Sequence, residues 1–197
     1  MHLSKKDKQY YLNLKRGFAR EKQFEAFTEK LQSECLILND LLLEINHTTF
    51  QIDSLFITHS KFYLYEVKNY QGDYYYESDK LFKKPNIEVI NTLHQLGRTE
   101  SLLRQLLLSI GIEPRINAFV VFINPNFTLY QAQMDKPFIF PTQIEQHMKN
   151  LHAISSKLTE KHKNIAAQLL SLNITDSPFT QIPAYNFDQL KKGIICP

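Results

Sequence analysis

The chain has 197 residues, of which 43% are hydrophobic, 12% aromatic and 22% charged, and its formal net charge is +3. This composition predicts a folded domain with an ample core and excludes an intrinsically disordered chain. No apolar run approaches the roughly 20 residues that span a bilayer, so we expect no membrane segment. The N-terminus lacks the hydrophobic stretch of a secretory signal and the chain has two cysteines, so a cytoplasmic location is expected.

A basic segment opens the chain. Its cations are expected either to contact the phosphates of a polyanion or to form the solvated face of a helix, and the sequence favours neither alternative. The positive residues are Lys5, Lys6, Lys8, Lys15, Arg16, Arg20 and Lys22.

The predicted elements begin with a helix over residues 3–32, where apolar residues recur at helical spacing. Two short apolar runs around Asn39-Asp40 then predict a strand, a turn and a strand. Residues 50–57 and 62–69 are rich in aromatic and β-branched residues and predict a β-hairpin. Residues 74–77 predict a further short strand.

The second half alternates helices with a strand. The clearest helix is predicted over residues 87–110, and Gly111 suits the position just after its end. Residues 116–123 are almost continuously apolar, which is typical of an interior strand in a parallel or mixed sheet. Two later helices are predicted over residues 142–151 and 155–173. This order predicts an α/β (α+β mixed) fold with a central mixed β-sheet flanked by helices.

A polar cluster lies on the predicted hairpin. If the hairpin is symmetric about its turn, Asp53 lies opposite Glu66 and Gln51 opposite Lys68. Residues two apart share a face of a strand, so all four are expected to project to the same side. Facing Cβ atoms lie roughly 5 Å apart, close enough for two carboxylates to bind one divalent cation. The alternative is a face that points to water, although four apolar side chains share it.

The same residues resemble a known family. An Asp on one strand and Glu-x-Lys on the next, after a helix that bears a Glu, are similar to the PD-(D/E)XK nuclease superfamily. Within it, the chain resembles the nuclease-related domain (NERD) family over roughly residues 15–125. The matching motifs are Gly17 to Glu21, Leu36 to Leu41, Gln51-Ile52-Asp53, Tyr65-Glu66-Val67-Lys68-Asn69 with Gly72 beyond, and Asn91 to Gln95. The chain departs from the family pattern at Arg20, Ser60-Lys61, Leu81-Phe82 and Thr92, none of which is one of the carboxylates or Lys68.

The resemblance implies a restriction-endonuclease-like core and a metal-dependent nuclease that acts on nucleic acid, with DNA favoured over RNA as the substrate. Asp53 and Glu66 would bind Mg²⁺ or Mn²⁺, with the backbone carbonyl of Val67 as a further oxygen ligand. Lys68 would orient the attacking water or stabilise charge in the transition state, and beside two carboxylates it is expected to stay protonated. Glu21 would hold a second metal or a metal-bound water.

Other residues give weaker signals. Gln51 and Gln95 are candidates to orient substrate or to support the metal ligands, although capping of a neighbouring carbonyl explains Gln95 equally well. The tyrosines at 74–76 would either stack on bases or pack within a strand. The sequence has no glycine-rich phosphate loop and no zinc-ligand spacing of histidine with cysteine. Cys196 either begins a truncated Cys-x-x-Cys motif or is incidental.

Three segments are predicted: a basic helical extension over residues 1–14, a NERD-like core over 15–140, and a helical extension with an irregular tail over 141–197. The leading hypothesis is a Mg²⁺-dependent nuclease that needs neither a membrane nor a small-molecule cofactor. A nucleic-acid-binding or regulatory module that kept the fold with little turnover is the main alternative. A metal-dependent hydrolase of a non-nucleic substrate is a third, and the oligomeric state is left open.

Overall fold

A computed structural model describes residues 5–28, 35–153 and 157–175. They form the predicted mixed α/β fold, in which a five-stranded sheet and a four-stranded sheet are flanked by helices. No helix in these ranges is long and apolar enough to cross a membrane. The elements are α1 (Lys5–Thr28), β1 (Leu36–Ile45), β2 (Thr48–Ile57), β3 (Phe62–Lys68), β4 (Gly72–Glu77), β5 (Lys80–Lys83), β6 (Ile87–Val89), α2 (Thr92–Ser109), β7 (Ile116–Phe122), β8 (Phe127–Tyr130), β9 (Phe138–Ile139), a 3-10 turn (Pro141–Gln143), α3 (Ile144–Ala153) and α4 (Glu160–Ser171).

The larger sheet has the strand order β1-β2-β3-β7-β9, with β3 at its centre. β2 and β3 are antiparallel in the predicted register, since Ser54 pairs with Tyr65 and Ile57 with Phe62. β7 is parallel to both β3 and β9, as its continuous apolar sequence predicts. Every residue of β3 is buried, because β2 and β7 cover its edges while α1 and α2 pack against it.

The first strand differs from the sequence-based prediction. β1 continues through Asn39 and Asp40, and the turn before β2 lies instead at Asn46 and His47, which both have positive φ. This is the backbone that a two-residue type I′ hairpin turn requires. Asp40 also has a positive φ, of 52°, and the β1–β2 ladder skips its pairing with Asp53. The predicted strand-turn-strand is therefore wrong, because an Asx residue tolerates left-handed backbone within a strand as well as in a turn.

The interruption at Asp40 changes which side chains of β2 face the core. Phe50 and Ile52 pack in the same hydrophobic cluster as Leu55 and Ile57, although the two pairs have opposite parity along the strand. Regular alternation would place the two pairs on opposite faces of the sheet. We infer that β2 rotates at Asp53. The odd-numbered residues before Asp53 therefore face away from this core, whereas the odd-numbered residues after it contact the core.

Helix α2 is shorter than predicted. Residues 87–89 form β6 instead, an edge strand of the small sheet, whose order is β6-β5-β4-β8. Ile87 and Ile90 are 57% and 75% exposed, so they do not continue the buried side of the helix. The helix begins after Asn91, whose side chain caps it. The two isoleucines fit the helical period by coincidence, since β-branched residues also favour a strand.

The last two helices pack on opposite parts of the domain. α3 contacts α1, and α4 contacts β1. Asn173, after α4, is tied to β1 because its Oδ1 accepts a hydrogen bond from Leu42 N at 2.8 Å. The predicted start of the last helix at residue 155 and the question of Cys196 lie outside the described residues.

Candidate active site

Lys68 ends β3 and is almost completely buried, with 9% of its surface exposed. Its ammonium group donates hydrogen bonds to Glu66 Oε1 at 2.6 Å and to Gln95 Oε1 at 2.9 Å. Glu66 is 6% exposed and lies two residues earlier, on the same face of the strand. Desolvation makes a buried ion pair a poor source of stability compared with apolar packing. The domain therefore contains two buried charges that stability alone does not favour.

Asp53 lies where β2 separates from β3. The ladder between these strands ends at Ser54 and Tyr65, one pair before Asp53 and Glu66. Asp53 Oδ2 accepts a hydrogen bond from the backbone N–H of Val67 at 2.7 Å. In a continued antiparallel ladder this N–H would bond to a backbone carbonyl of β2. The carboxylate thus occupies the position of a backbone acceptor, directly beside the peptide that joins Glu66 to Val67.

The backbone of Val67 presents its oxygen on the same side. In a β-strand the N–H and C=O of one residue point in the same direction, so the Val67 carbonyl also points toward β2. The next carbonyl points the other way, since Lys68 O accepts a hydrogen bond from Ile123 N at 3.0 Å, on the β7 side. Strand geometry therefore directs the Val67 carbonyl and the Asp53 carboxylate into one gap between two strands.

Gln51 is separated from this group. Its amide donates a hydrogen bond to Asp40 Oδ1 at 2.6 Å, and both residues are exposed, whereas Glu66 and Lys68 are buried. The rotation of β2 at Asp53 turns Gln51 away, so the expectation that all four residues share one side is wrong for Gln51. A role for Gln51 in orienting substrate stays a prediction.

Helix α2 brings Gln95 to Lys68. The helix start is held by the turn between β4 and β5, because Asn91 Nδ2 donates to the Asp79 carbonyl at 2.6 Å. His94 Nε2 also lies 3.3 Å from Asp79 Oδ2, and the hydrogen bonds that Asp79 accepts from Tyr76 and His94 lower the pKa of its carboxyl. Sequence reasoning missed Asp79, since Ser-Asp between two strands signals only a turn.

Glu21 is the remaining candidate metal ligand. It belongs to α1, and its side chain lies outside the described part of the structure. Within the ranges that are described, no group of three or more His, Cys, Asp or Glu side chains is placed to hold a metal ion. Asp53 and Glu66 supply only two carboxylates. The ligand set implied by the resemblance therefore also needs the Val67 carbonyl or Glu21. Oxygen donors of this kind suit Mg²⁺, which keeps several waters and binds few protein groups.

The three neighbouring tyrosines of β4 divide between the two faces of the small sheet. Tyr74 and Tyr76 are buried in the main hydrophobic cluster. Tyr75 is half-buried on the other face, where its ring stacks on Phe82 with centroids 5.0 Å apart. Packing therefore accounts for Tyr74 and Tyr76.

Comparison with known proteins finds one matching family model. The model of the nuclease-related domain (NERD) family matches residues 16–123, which is more than half of the chain. The matched range includes Asp53, Glu66, Lys68 and Gln95. Among solved structures, the chain is similar to protein VC1899 from Vibrio cholerae, with 12% sequence identity and a TM-score of 0.38. That match covers 70% of this chain and 32% of the other, so the chain spans about a third of that protein's length. No curated protein matches.

Proposed function

Because this chain belongs to the nuclease-related domain family, within the PD-(D/E)XK superfamily, we propose that it is a metal-dependent nuclease that hydrolyses phosphodiester bonds of nucleic acid. One observation carries the proposal: the buried Lys68 ammonium is hydrogen-bonded to Glu66 at 2.6 Å and to Gln95 at 2.9 Å. Perturbed or buried charges concentrate at functional sites, and the Asp53 carboxylate lies beside the same peptide. DNA is the proposed substrate, in preference to RNA.

The available oxygen donors support Mg²⁺ or Mn²⁺ as the cofactor. Asp53 and Glu66 offer carboxylate oxygens, Val67 offers its carbonyl, and Glu21 is proposed as a further ligand. Hard oxygen donors suit these cations far better than zinc, which favours nitrogen and sulfur. The cation, when bound, would polarise the scissile phosphate and favour deprotonation of the attacking water.

Lys68 is proposed to act on the phosphate electrostatically. An ammonium has three N–H donors, and two are used in the hydrogen bonds to Glu66 and Gln95. The third would donate to a phosphate oxygen, where negative charge grows as water attacks. Since the two existing hydrogen bonds hold the side chain in place, little reorganisation is needed at that moment. Gln95 would act through Lys68, as a positioning residue.

A nucleic-acid-binding module without turnover is the second candidate. The observation in its favour is that both carboxylates already have protein partners, Lys68 for Glu66 and the Val67 N–H for Asp53. A cation would have to share these oxygens or displace their partners. Each ionised carboxylate accepts about four hydrogen bonds or ligands, so sharing is chemically feasible.

A cleavage assay separates the two candidates. Labelled single- and double-stranded DNA and RNA are incubated with the protein in Mg²⁺, Mn²⁺ or EDTA, beside Lys68→Ala and Asp53→Ala variants and an exposed control, Lys163→Ala. We expect cleavage with metal, none with EDTA, and cleavage retained only by the wild type and the control. Cleavage that persists in either site variant would refute the site assignment. Binding without cleavage in every metal would favour the second candidate.

A further inference from the structure

A group of cations lies near the N-terminal end of β3, opposite the end that carries Lys68. It surrounds a cavity of about 330 Å³ that is lined by the β2–β3 turn, the loop between α2 and β7, and the start of α4. Lys61, Arg115 and Lys161 contribute positive charge, and Glu113 contributes the single negative charge of the lining. With neutral histidines, three positive side chains against one negative leave a net charge of +2. We call this cavity the basic pocket.

We propose that the basic pocket binds a phosphate group. Its volume is within the range of small-ligand sites, roughly 300–1,000 Å³. A phosphate monoester carries about −1.5 to −2 charge near pH 7, which matches the excess positive charge of the lining. The guanidinium of Arg115 can bind phosphate oxygens with two parallel N–H donors, and Lys61 and Lys161 add point charges.

The walls of the basic pocket are tied together by histidines. His162 Nδ1 accepts a hydrogen bond from the N–H of Thr159 at 3.1 Å, so Nε2 carries the proton and donates to the His59 carbonyl at 3.0 Å. His59 Nδ1 in turn lies 3.2 Å from the Lys157 carbonyl. These contacts hold the β2–β3 turn against the start of α4. The backbone segments that carry Lys61 and Lys161 are therefore held together before any ligand arrives, which reduces the entropic cost of binding.

The basic pocket is separate from the candidate active site. Phe62 lines the pocket and begins β3, whereas Lys68 ends it. Six residues of strand at about 3.3 Å each place the two roughly 20 Å apart. The pocket lining includes none of the proposed metal ligands, so binding at the pocket can be measured in EDTA, without cleavage.

The phosphate can belong either to the end of a nucleic acid strand or to a free nucleotide. Both sources present the same chemical group, so they are distinguished by the probes. Inorganic phosphate and adenosine monophosphate are titrated by calorimetry. A labelled oligonucleotide with a 5′-phosphate, and its 5′-hydroxyl counterpart, are titrated by fluorescence anisotropy. All titrations contain EDTA.

The test compares two triple variants with the same loss of charge. The control triple removes lysines that form surface ion pairs outside the pocket. The pocket triple is Lys61→Gln, Arg115→Gln and Lys161→Gln, and the control triple is Lys80→Gln, Lys149→Gln and Lys163→Gln. The single variant Arg115→Gln, whose side chain is exposed, repeats the test if the pocket triple does not fold.

We expect the wild type to bind at least one phosphate-bearing probe, and the pocket triple to bind it about tenfold or more weakly, with the control triple close to wild type. Loss confined to the 5′-phosphorylated oligonucleotide identifies a strand end as the source. Loss that extends to adenosine monophosphate identifies a free nucleotide. Absence of binding to all phosphate probes, or equal weakening in both triples, would overturn the proposal.

Discussion

The two ends of β3 hold charge in opposite ways. At its C-terminal end, Glu66 and Lys68 are buried and form an ion pair of 2.6 Å. At its N-terminal end, the charges of the basic pocket are partly or fully exposed and surround a cavity. A buried charge that loses its partner has no water to stabilise it, whereas an exposed charge is solvated in any case. Substitutions should therefore affect both folding and activity at the first end, and binding alone at the second.

The largest effect is expected from Lys68→Ala. The substitution removes the ammonium group that is hydrogen-bonded to the buried Glu66 carboxylate, and it removes the proposed phosphate contact. We expect the cleavage rate to fall by about 100-fold or more and the free energy of unfolding by about 3 kcal/mol. Single-turnover cleavage and urea denaturation measure the two effects.

A double variant separates the two consequences of losing Lys68. Glu66→Gln combined with Lys68→Ala also removes the buried negative charge, so stability should recover in part while cleavage stays lost. If the double variant is no more stable than Lys68→Ala, the loss of stability does not come from burial of the Glu66 charge without the Lys68 ammonium, and the contrast between the two ends of β3 fails.

A smaller effect is expected from Gln95→Ala, because Gln95 accepts a hydrogen bond from Lys68 and is proposed to position it rather than to contact substrate. We expect kcat to fall about tenfold with KM nearly unchanged, and the free energy of unfolding to fall by about 1 kcal/mol. Gln95→Glu, which keeps an acceptor for Lys68, should restore much of the rate. Arg98→Ala on the exposed surface of the same helix is the control. A change in KM alone would contradict a positioning role.

The hairpin could be predicted from sequence because its two strands share one residue pattern. Aromatic and β-branched runs on both sides of a polar turn fixed the register, and the Ser54–Tyr65 pair confirmed it. The burial of Glu66 and Lys68 follows from the central position of β3, between β2 and β7. Local sequence was sufficient for the hairpin because β2 and β3 are consecutive along the chain and pair with each other.

The remaining features depend on contacts that local sequence does not contain. The rotation of β2 at Asp53 accompanies the left-handed backbone of Asp40 on the adjacent strand. The start of α2 at Asn91 depends on the turn between β4 and β5. The basic pocket combines segments about 50 residues apart along the chain. Periodicity describes one element at a time, so none of these could be derived from it.

A pH effect is expected at a half-buried histidine on the other face of the larger sheet. His147 Nε2 lies 3.0 Å from the hydroxyl of Tyr65, and burial lowers the pKa of His147 below its usual 6.5. The unfolded chain therefore binds more protons than the folded one as pH falls below about 6.5, and stability is lost in that direction. The free energy of unfolding should decline less steeply between about pH 7 and pH 5 in His147→Gln than in the wild type.

A non-titratable residue of the same helix serves as the control for His147. Gln146→Ala, at an exposed position of α3, should show the wild-type pH dependence. Identical pH slopes in His147→Gln and the wild type would contradict a contribution from the His147 ring.

The smallest change in stability is expected at the basic pocket. Its triple variant should unfold within about 0.5 kcal/mol of the wild type, because substitutions of exposed charges rarely do more. Chemical denaturation of both triple variants measures this. A loss as large as that of Lys68→Ala would mean that the pocket cations maintain the fold, and the difference between the two ends of β3 would disappear.

The most direct test of the proposed active site is the Mg²⁺-dependent cleavage rate of Asp53→Asn. The asparagine oxygen can still accept the hydrogen bond from Val67 N–H, so the fold should be kept while the anionic metal ligand is lost. We expect the wild type to cleave DNA in Mg²⁺ and the variant to cleave it about 100-fold more slowly or not at all, with an unchanged urea midpoint. Equal rates in the two proteins would contradict the proposed site, and a wild type that cleaves no nucleic acid in Mg²⁺ or Mn²⁺ would contradict the proposed function.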